Sequence, residues 1–223
     1  MTTRKKLILF GTGSTAEVMH HRLTQGGGPE VAAFSVDADY LTEVVKAGLP
    51  VVPFETLPDR FPPDAFDLMI AVGYAGVNRF RAERFAQART WGYHMPAHVG
   101  PGAQVWDGCR PGENCRIGAN TLIQPFAAIG ENTSIGSGSI VGHHTRIGDH
   151  VFIGSGVTLG GNVVIGDYAF LGTGAVVRNK IVIAPGTVIG AGSVILEDTE
   201  PGGVYLSRTA DRLPVQSKDL PLR

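Results

Sequence analysis

The stretch Ile147-Gly148-Asp149-His150-Val151-Phe152-Ile153-Gly154-Ser155-Gly156-Val157-Thr158-Leu159-Gly160-Gly161 repeats one six-residue unit. An aliphatic residue opens each unit, glycine follows it, and a small or β-branched residue comes four positions later. The same beat runs outward to Val99 on one side and Ile195 on the other, through Val105, Ile117, Ile123, Ile129, Ile135, Val141, Ile165, Leu171, Val177, Ile183 and Ile189. Pro111 alone departs from the aliphatic run. The second register runs from Ala103 through Cys109, Cys115, Thr121 and Thr145 to Ser193. A period of six fits neither an amphipathic helix nor an alternating strand. It specifies a solenoid, in which each unit buries its apolar side chain only against its neighbours. Glycine together with Asn114, Asn120, Asn132 and Asn162 suits turn positions that need unusual backbone angles. Three hexapeptides closing one triangular coil predict a parallel β-helix. The repeat does not show its hand. Such a slender prism gains buried surface by lateral association.

Composition narrows the function classes. The 223 residues carry 19 Lys and Arg against 20 Asp and Glu, a formal charge of −1, with no basic run and no aromatic-basic interleaving. That balance argues against a nucleic-acid partner. No stretch approaches membrane-spanning length. Residues 1–6 lead into Leu7-Ile8-Leu9-Phe10, which is too short for a secretory leader. A cytoplasmic protein is expected. Cys109 and Cys115 fall on the inward register and read as buried thiols rather than a disulfide or a metal pair. Three segments are expected: an α/β domain over 1–95, a β-helix over 96–200, and a terminal strand with an extended tail over 201–223.

The first segment has different punctuation. Strands are predicted over 6–10, 31–36, 51–52 and 66–72, with helices over 16–25, 41–47 and 79–92. Alternation of this kind predicts a small parallel sheet with a binding edge at the strand C-terminal ends. Gly11-Thr12-Gly13-Ser14-Thr15 opens the first helix and either receives a phosphate there or is a glycine turn without a ligand. It lacks the third glycine of a dinucleotide fingerprint. Asp37 closes the second strand, where it meets a ribose or base or merely ends the strand. Asn78 and Arg79 either contact substrate phosphates, touch a neighbouring subunit, or cap the following helix. Gly11, Gly13, Ser14, Thr15, Asp37, Asn78 and Arg79 are therefore the candidate substrate-binding residues.

Together, the Ile-Gly repeats and the small α/β domain resemble the bacterial sugar O-/N-acyltransferases built on left-handed β-helices. These include sialic acid O-acetyltransferase-like and nucleotide-amino-sugar N-acetyltransferase-like members. The similarity covers nearly the whole chain. It implies that the hand is left and that the first domain holds the nucleotide of a sugar nucleotide. It also implies that acetyl-CoA lies along the β-helix between neighbours in a homotrimer, and that no metal takes part. The family's catalytic signature is a histidine followed by Glu or Asp, then Ile-Gly-Asp, with a glycine pair one coil later. Val141-Gly142-His143-His144-Thr145-Arg146-Ile147-Gly148-Asp149 and Gly160-Gly161 match it. His143 takes the place of the base. Gly161, eighteen residues on, stacks one coil above with an amide suited to an oxyanion. Gly160, Gly161, Gly172 and Gly190 fall to acetyl-CoA.

Three departures stand out. His144 replaces the usual carboxylate and completes the candidate catalytic set with His143 and Gly161, yet an imidazole brings no fixed negative charge to hold its neighbour's tautomer. Thr15 and Phe152 stand where histidine is frequent, while His144 and His150 add imidazoles. A zinc site from His143, His144 and His150 requires ligands converging at about 2 Å, and none is expected. The resemblance implies direct acetyl transfer from acetyl-CoA to a nucleotide-linked amino sugar, with His143 as general base. Sugar O-acetylation, or a noncatalytic trimeric sugar-nucleotide-binding protein, are the alternatives.

Overall fold

The structure, a computed structural model, describes residues 5–212 together with Pro214 and Gln216. The expected tail therefore lies outside the described residues at 213, 215 and 217–223. In the first ninety-five residues, β1 (Lys6–Phe10), β2 (Val31–Val36), β3 (Val45–Lys46), β4 (Leu49–Pro53) and β5 (Phe66–Ile70) form one sheet in the order β3-β4-β2-β1-β5. All pairings are parallel except β3 with β4. The helix expected over 41–47 is absent. Ala38–Tyr40 is a 3₁₀ turn, and Val45–Lys46 hairpins onto β4 through Ala47 and Gly48, both at positive φ. The Ala-Gly pair acts as a reverse turn, which overrides the helical spacing of the residues before it. A 3₁₀ turn at Phe54–Thr56 and the four-residue α2 (Leu57–Arg60) were not anticipated.

Strand periodicity divides the core into two layers. Leu7 and Leu9 of β1 face α1 (Ser14–Gln25), which buries Ala16, Met19 and Leu23 at helical spacing. Ile8 and Phe10 point the other way, toward Phe54 and α3 (Arg79–Thr90), where Phe85 and Ala88 are buried. Helices cover both faces, as a mostly parallel sheet requires.

From His98 on, the chain coils into a left-handed parallel β-helix of two-residue strands. The first face stacks His98–Val99, Arg116–Ile117, Ser134–Ile135, Phe152–Ile153, Phe170–Leu171, Val188–Ile189 and Val204–Tyr205. The second stacks Gln104–Val105, Leu122–Ile123, Ile140–Val141, Thr158–Leu159, Val176–Val177 and Val194–Ile195. The third begins only at Ala128–Ile129 and continues through Arg146–Ile147, Val164–Ile165 and Val182–Ile183. Its missing first rung falls at Arg110-Pro111, where neither Arg110 N nor Gly112 N donates to the coil above as Ala128 N and Gly130 N do. The one break in the sequence beat is thus a lost strand. Every sixth residue from Gly102 to Gly192 has positive φ, including Asn114, Asn132, His144, His150 and Asn162. Glycine just after the inward aliphatic residue has another cause: a Cβ on Gly172 would meet Ala191 N of the next coil at 2.5 Å.

The two parts are docked by polar groups as well as apolar ones. Asn114 Oδ1 accepts from Ile70 N at 2.9 Å, and its Nδ2 donates to Asn132 Oδ1 at 2.7 Å, so a β-helix ladder continues the sheet edge. Arg81 of α3, 1% exposed, donates Nη2 to the carbonyls of His150 and Val151, both at 3.1 Å. Tyr74 wedges against Phe152 and Phe170, whose rings stack at 5.3 Å. Cys109 and Cys115 are buried and free, as the inward register predicts. No described helix is long and apolar enough to cross a membrane.

Leu171, fully buried in the middle of the prism, is a test of this core. Leu171→Ala is expected to cost about 2–5 kcal/mol in urea unfolding, through lost transfer energy and the cavity left between rigidly stacked coils.

Candidate active site

A cleft of about 950 Å³ opens at the C-terminal ends of β1, β2 and β5. Its walls are the loop after β1, the loop 71–76 after β5, and the first turn of α3. The chain leaves β1 toward β2 on one side and returns to β5 on the other. This is the switch-point geometry at which open α/β sheets bind ligands. Gly11, Gly13, Ser14 and Thr15 all line the cleft at the start of α1. No side chain caps that helix, which leaves its first amides available to an anion. Gly11 sits at φ +120 with Ala71 O 2.8 Å from where a Cβ would stand, so the loop needs glycine to close over the sheet.

Asp37 also lines the cleft, but its carboxylate is held by Arg84 in a paired contact, Nε–Oδ1 and Nη2–Oδ2 both 2.8 Å. Arg79 reaches the cleft, with its guanidinium 5.5 Å from the Tyr168 ring centroid. Asn78 does not. It is fully buried, and its Nδ2 donates to Ala169 O at 3.3 Å. Its side chain makes no cap bond to α3 and does not line the cleft; it braces the start of α3 against the β-helix of its own chain, a role outside those expected for it.

His143 and His144 sit on the edge between the second and third β-helix faces, which in a three-faced prism lies opposite the first face. His143 is exposed and lies directly beneath Gly161: a Cβ there would meet His143 Nε2 at 2.5 Å. Asn162 N donates to His143 O at 2.8 Å, and His143 N donates to Gln124 Oε1 at 3.0 Å, which pins the backbone on both sides. The two imidazoles meet Nδ1 to Nδ1 at 3.0 Å with rings nearly perpendicular. At that distance one Nδ1 carries the proton and the other accepts it. His144, at φ 59, stacks on Phe126 at 4.7 Å. Gln124 and Phe126 escaped the sequence reading, although both lie eighteen residues before the same corner one coil up.

His150 does not join this pair. It lies on the edge between the third and first faces, where Asn132 Nδ2 is 2.9 Å from its Nδ1 and burial pushes its pKa down. Closeness in sequence is not closeness in space here: six residues carry the chain round to another edge. The candidate acetyl-CoA glycines divide in the same way. Gly160 and Gly161 share the His143 edge, whereas Gly172 and Gly190 lie on the edge between first and second faces. The two edges flank the second face.

Comparison with known proteins agrees with this architecture. The family pattern described as "Bacterial transferase hexapeptide (six repeats)" matches residues 126–161 and 162–197. No curated sequence matches the chain significantly. A mutant of perosamine N-acetyltransferase from Caulobacter crescentus, solved in complex with CoA and GDP-perosamine, is 29% identical, with 92% of this chain and 95% of that one covered at a TM-score of 0.83. The acetyltransferase domain of PglB from Neisseria gonorrhoeae is 26% identical over 94% of this chain and 100% of that one, with a TM-score of 0.82. Residues 126–197 thus carry the hexapeptide-repeat pattern, and nearly the whole chain is similar to these acetyltransferases. WeeI from Acinetobacter baumannii, 23% identical over 92% of this chain and 97% of that one, shares the fold at a TM-score of 0.80.

The close approach of His143 to Gly161 is directly testable. Gly161→Ala is expected to displace the imidazole and lower acyl transfer by about tenfold or more, since misplacement of about 1 Å costs up to about a hundredfold. Retained melting temperature together with a shifted His143 ¹⁵N resonance would show that the ring, and not the fold, was affected.

Proposed function

We propose that the chain is an acetyl-CoA-dependent N-acetyltransferase acting on a nucleotide-linked amino sugar, with acetyl transferred directly to the sugar amine. The observation that carries this reading is the combination of two features on one chain: an anion-ready cleft in the α/β domain, and an exposed imidazole under a glycine amide on the β-helix. The likeness to the CoA- and GDP-perosamine-bound N-acetyltransferase favours an amine over a hydroxyl acceptor. The nucleotide lies in the cleft, with its diphosphate at the start of α1 near Gly13, Ser14 and Thr15 and within reach of Arg79. Asp37, fixed by Arg84, keeps free lone pairs on its oxygens for a ribose hydroxyl.

Acetyl-CoA supplies the thioester carbon that the amine attacks. Neutral His143 takes the amine proton on Nε2 as the new C–N bond forms, and returns it to the departing thiolate as the C–S bond breaks. For Nε2 to be free, the ring proton must sit on Nδ1. His144 Nδ1, 3.0 Å away, is the acceptor that holds it there. His144 thus does as a neutral acceptor what a carboxylate does by charge. The Gly161 amide, which makes no backbone hydrogen bond among the described residues, is placed to receive the developing oxyanion.

Within one chain the α/β domain occupies the first face and its corners, while His143 stands on the opposite edge. A complete site therefore takes its base from a neighbouring copy. The outward side chains of the second face include Ile140, Val176 and Val194, exposed by 40%, 39% and 60%, an apolar row suited to packing against another prism. A homotrimer closes these contacts by symmetry. Free buried thiols and an acetyl-CoA donor favour a cytoplasmic setting.

Incubation with acetyl-CoA and a panel of UDP- and GDP-linked 4-amino sugars, following thiol release, is expected to show turnover. His143→Ala is expected to lower it by about 10²–10⁴-fold. Unchanged turnover in that variant sinks the assignment. Tight sugar-nucleotide binding with no turnover on any acceptor favours the noncatalytic binder instead. His144→Ala is expected to lower kcat, and His144→Glu to restore it by supplying a charged acceptor. Mixed oligomers of His143→Ala and a cleft-filling Ser14→Trp variant are expected to regain activity that neither has alone, provided that the base comes from a neighbour.

A further inference from the structure

A second cavity, of about 280 Å³, adjoins the cleft across Ser14 and Thr15, which line both. Its floor is the first β-helix face. Arg116 rises there from the strand Arg116–Ile117, 5% exposed, with Nη2 donating to Val72 O at 3.0 Å and Nε without a partner. Arg22 enters from α1, its Nη2 3.5 Å from Ser137 Oγ. Neither arginine belongs to any ion pair among the described residues. His98, paired in register with Arg116, leaves a buried Nε2 without a partner as well. Burial pushes the Arg116 guanidinium down to about 10, and burial with the nearby Arg22 charge lowers His98. Ser134 and Ser155 add hydroxyls to the wall.

A buried cation without a counter-charge is costly unless a ligand completes it. Two guanidiniums in a hydroxyl-lined cavity call for an oxyanion, and the planar fork of arginine matches a carboxylate through paired hydrogen bonds. The diphosphate is already provided for at the start of α1. A further anion on the β-helix side of Ser14 and Thr15 belongs to the group that follows the diphosphate, which is the sugar. We infer that the acceptor is a nucleotide-linked amino hexuronic acid, whose ring carboxylate is received by Arg22 and Arg116. The inference rests on the proposed acetyl transfer to a nucleotide sugar and specifies its substrate.

The test uses the intact protein and three probes: the nucleoside diphosphate, its neutral amino hexose, and the corresponding amino hexuronic acid, each in UDP and GDP form. Binding is read by calorimetry and turnover by thiol release. The uronate is expected to bind at least tenfold more tightly than the neutral sugar. Arg22→Gln, at a half-buried position on α1, is expected to shrink that ratio tenfold or more. Arg116→Lys, which keeps the charge but loses the fork, is expected to shrink it too. Equal binding of the two sugars overturns the inference. So does a ratio unmoved by Arg22→Gln, or a loss in that variant as large for the diphosphate alone, which would mean that the arginines read phosphate. Lack of thiol release from every sugar instead overturns the transferase reading, while the binding ratio still decides on the carboxylate. Lack of binding by all probes overturns both.

Discussion

Every feature of the site depends on coil stacking directly upon coil, with amides such as Arg146 N donating up to Val163 O and corner amides such as Asn162 N donating down to His143 O. Val141 pairs with Leu159, Ile147 with Ile165, and Ile153 with Leu171, without slippage through the central turns. Vertical register of this kind makes sequence distance equivalent to height and edge. It is strict because one misplaced residue would turn an inward aliphatic side chain to solvent. It also brings corner backbones so close that glycine is required where they touch. Gly161 is such a corner, and the ring beneath it occupies space that any side chain would fill.

The α/β domain has no comparable repeat, and its placement rests on a few buried polar contacts. Arg81 illustrates their cost. Burial drives its guanidinium well below its ordinary pKa, and Nε and Nη1 lack partners, while Nη2 bridges two carbonyls at the β-helix corner. Such a group fixes one orientation of α3 more than it adds stability, since an apolar side chain would dock with less desolvation. Asn114, Asn132 and Asn78 serve the same end by tying sheet, helix and coils into one register of hydrogen bonds. The cleft consequently faces a fixed stretch of the first face, with Tyr74 wedged against Phe152 and Phe170.

That docking sets the cleft and the imidazole pair apart within one chain. The cleft and its second cavity lie on one side of the prism, and the imidazole pair lies on the opposite edge. The His143–His144 contact puts a second imidazole, and no fixed charge, within hydrogen-bond distance of the first. In a contact of this kind, the donor-acceptor order between the rings sets which nitrogen of His143 is free.

The β-helix was legible because its period is local: Ile147, Ile153 and Leu159 announce the coil, and eighteen residues place Gly161 over His143. The glycine loop at Gly11–Thr15 was legible for a similar reason, since strand, turn and helix follow one another in the chain. The hairpin at Val45–Lys46 was misread as helix, because an Ala-Gly turn outweighs short-range apolar spacing only once β4 is there to pair with. The pairing of Asp37 with Arg84, the bracing role of Asn78, the separation of His150 from His143, and the clustering of Arg22 with Arg116 join residues remote in sequence or on different prism edges. Periodicity specifies the height and edge of a residue within one coil. Only the docking of the two parts decides which edge meets the cleft, because that choice is made by contacts across the junction, which leave no repeating trace in the chain.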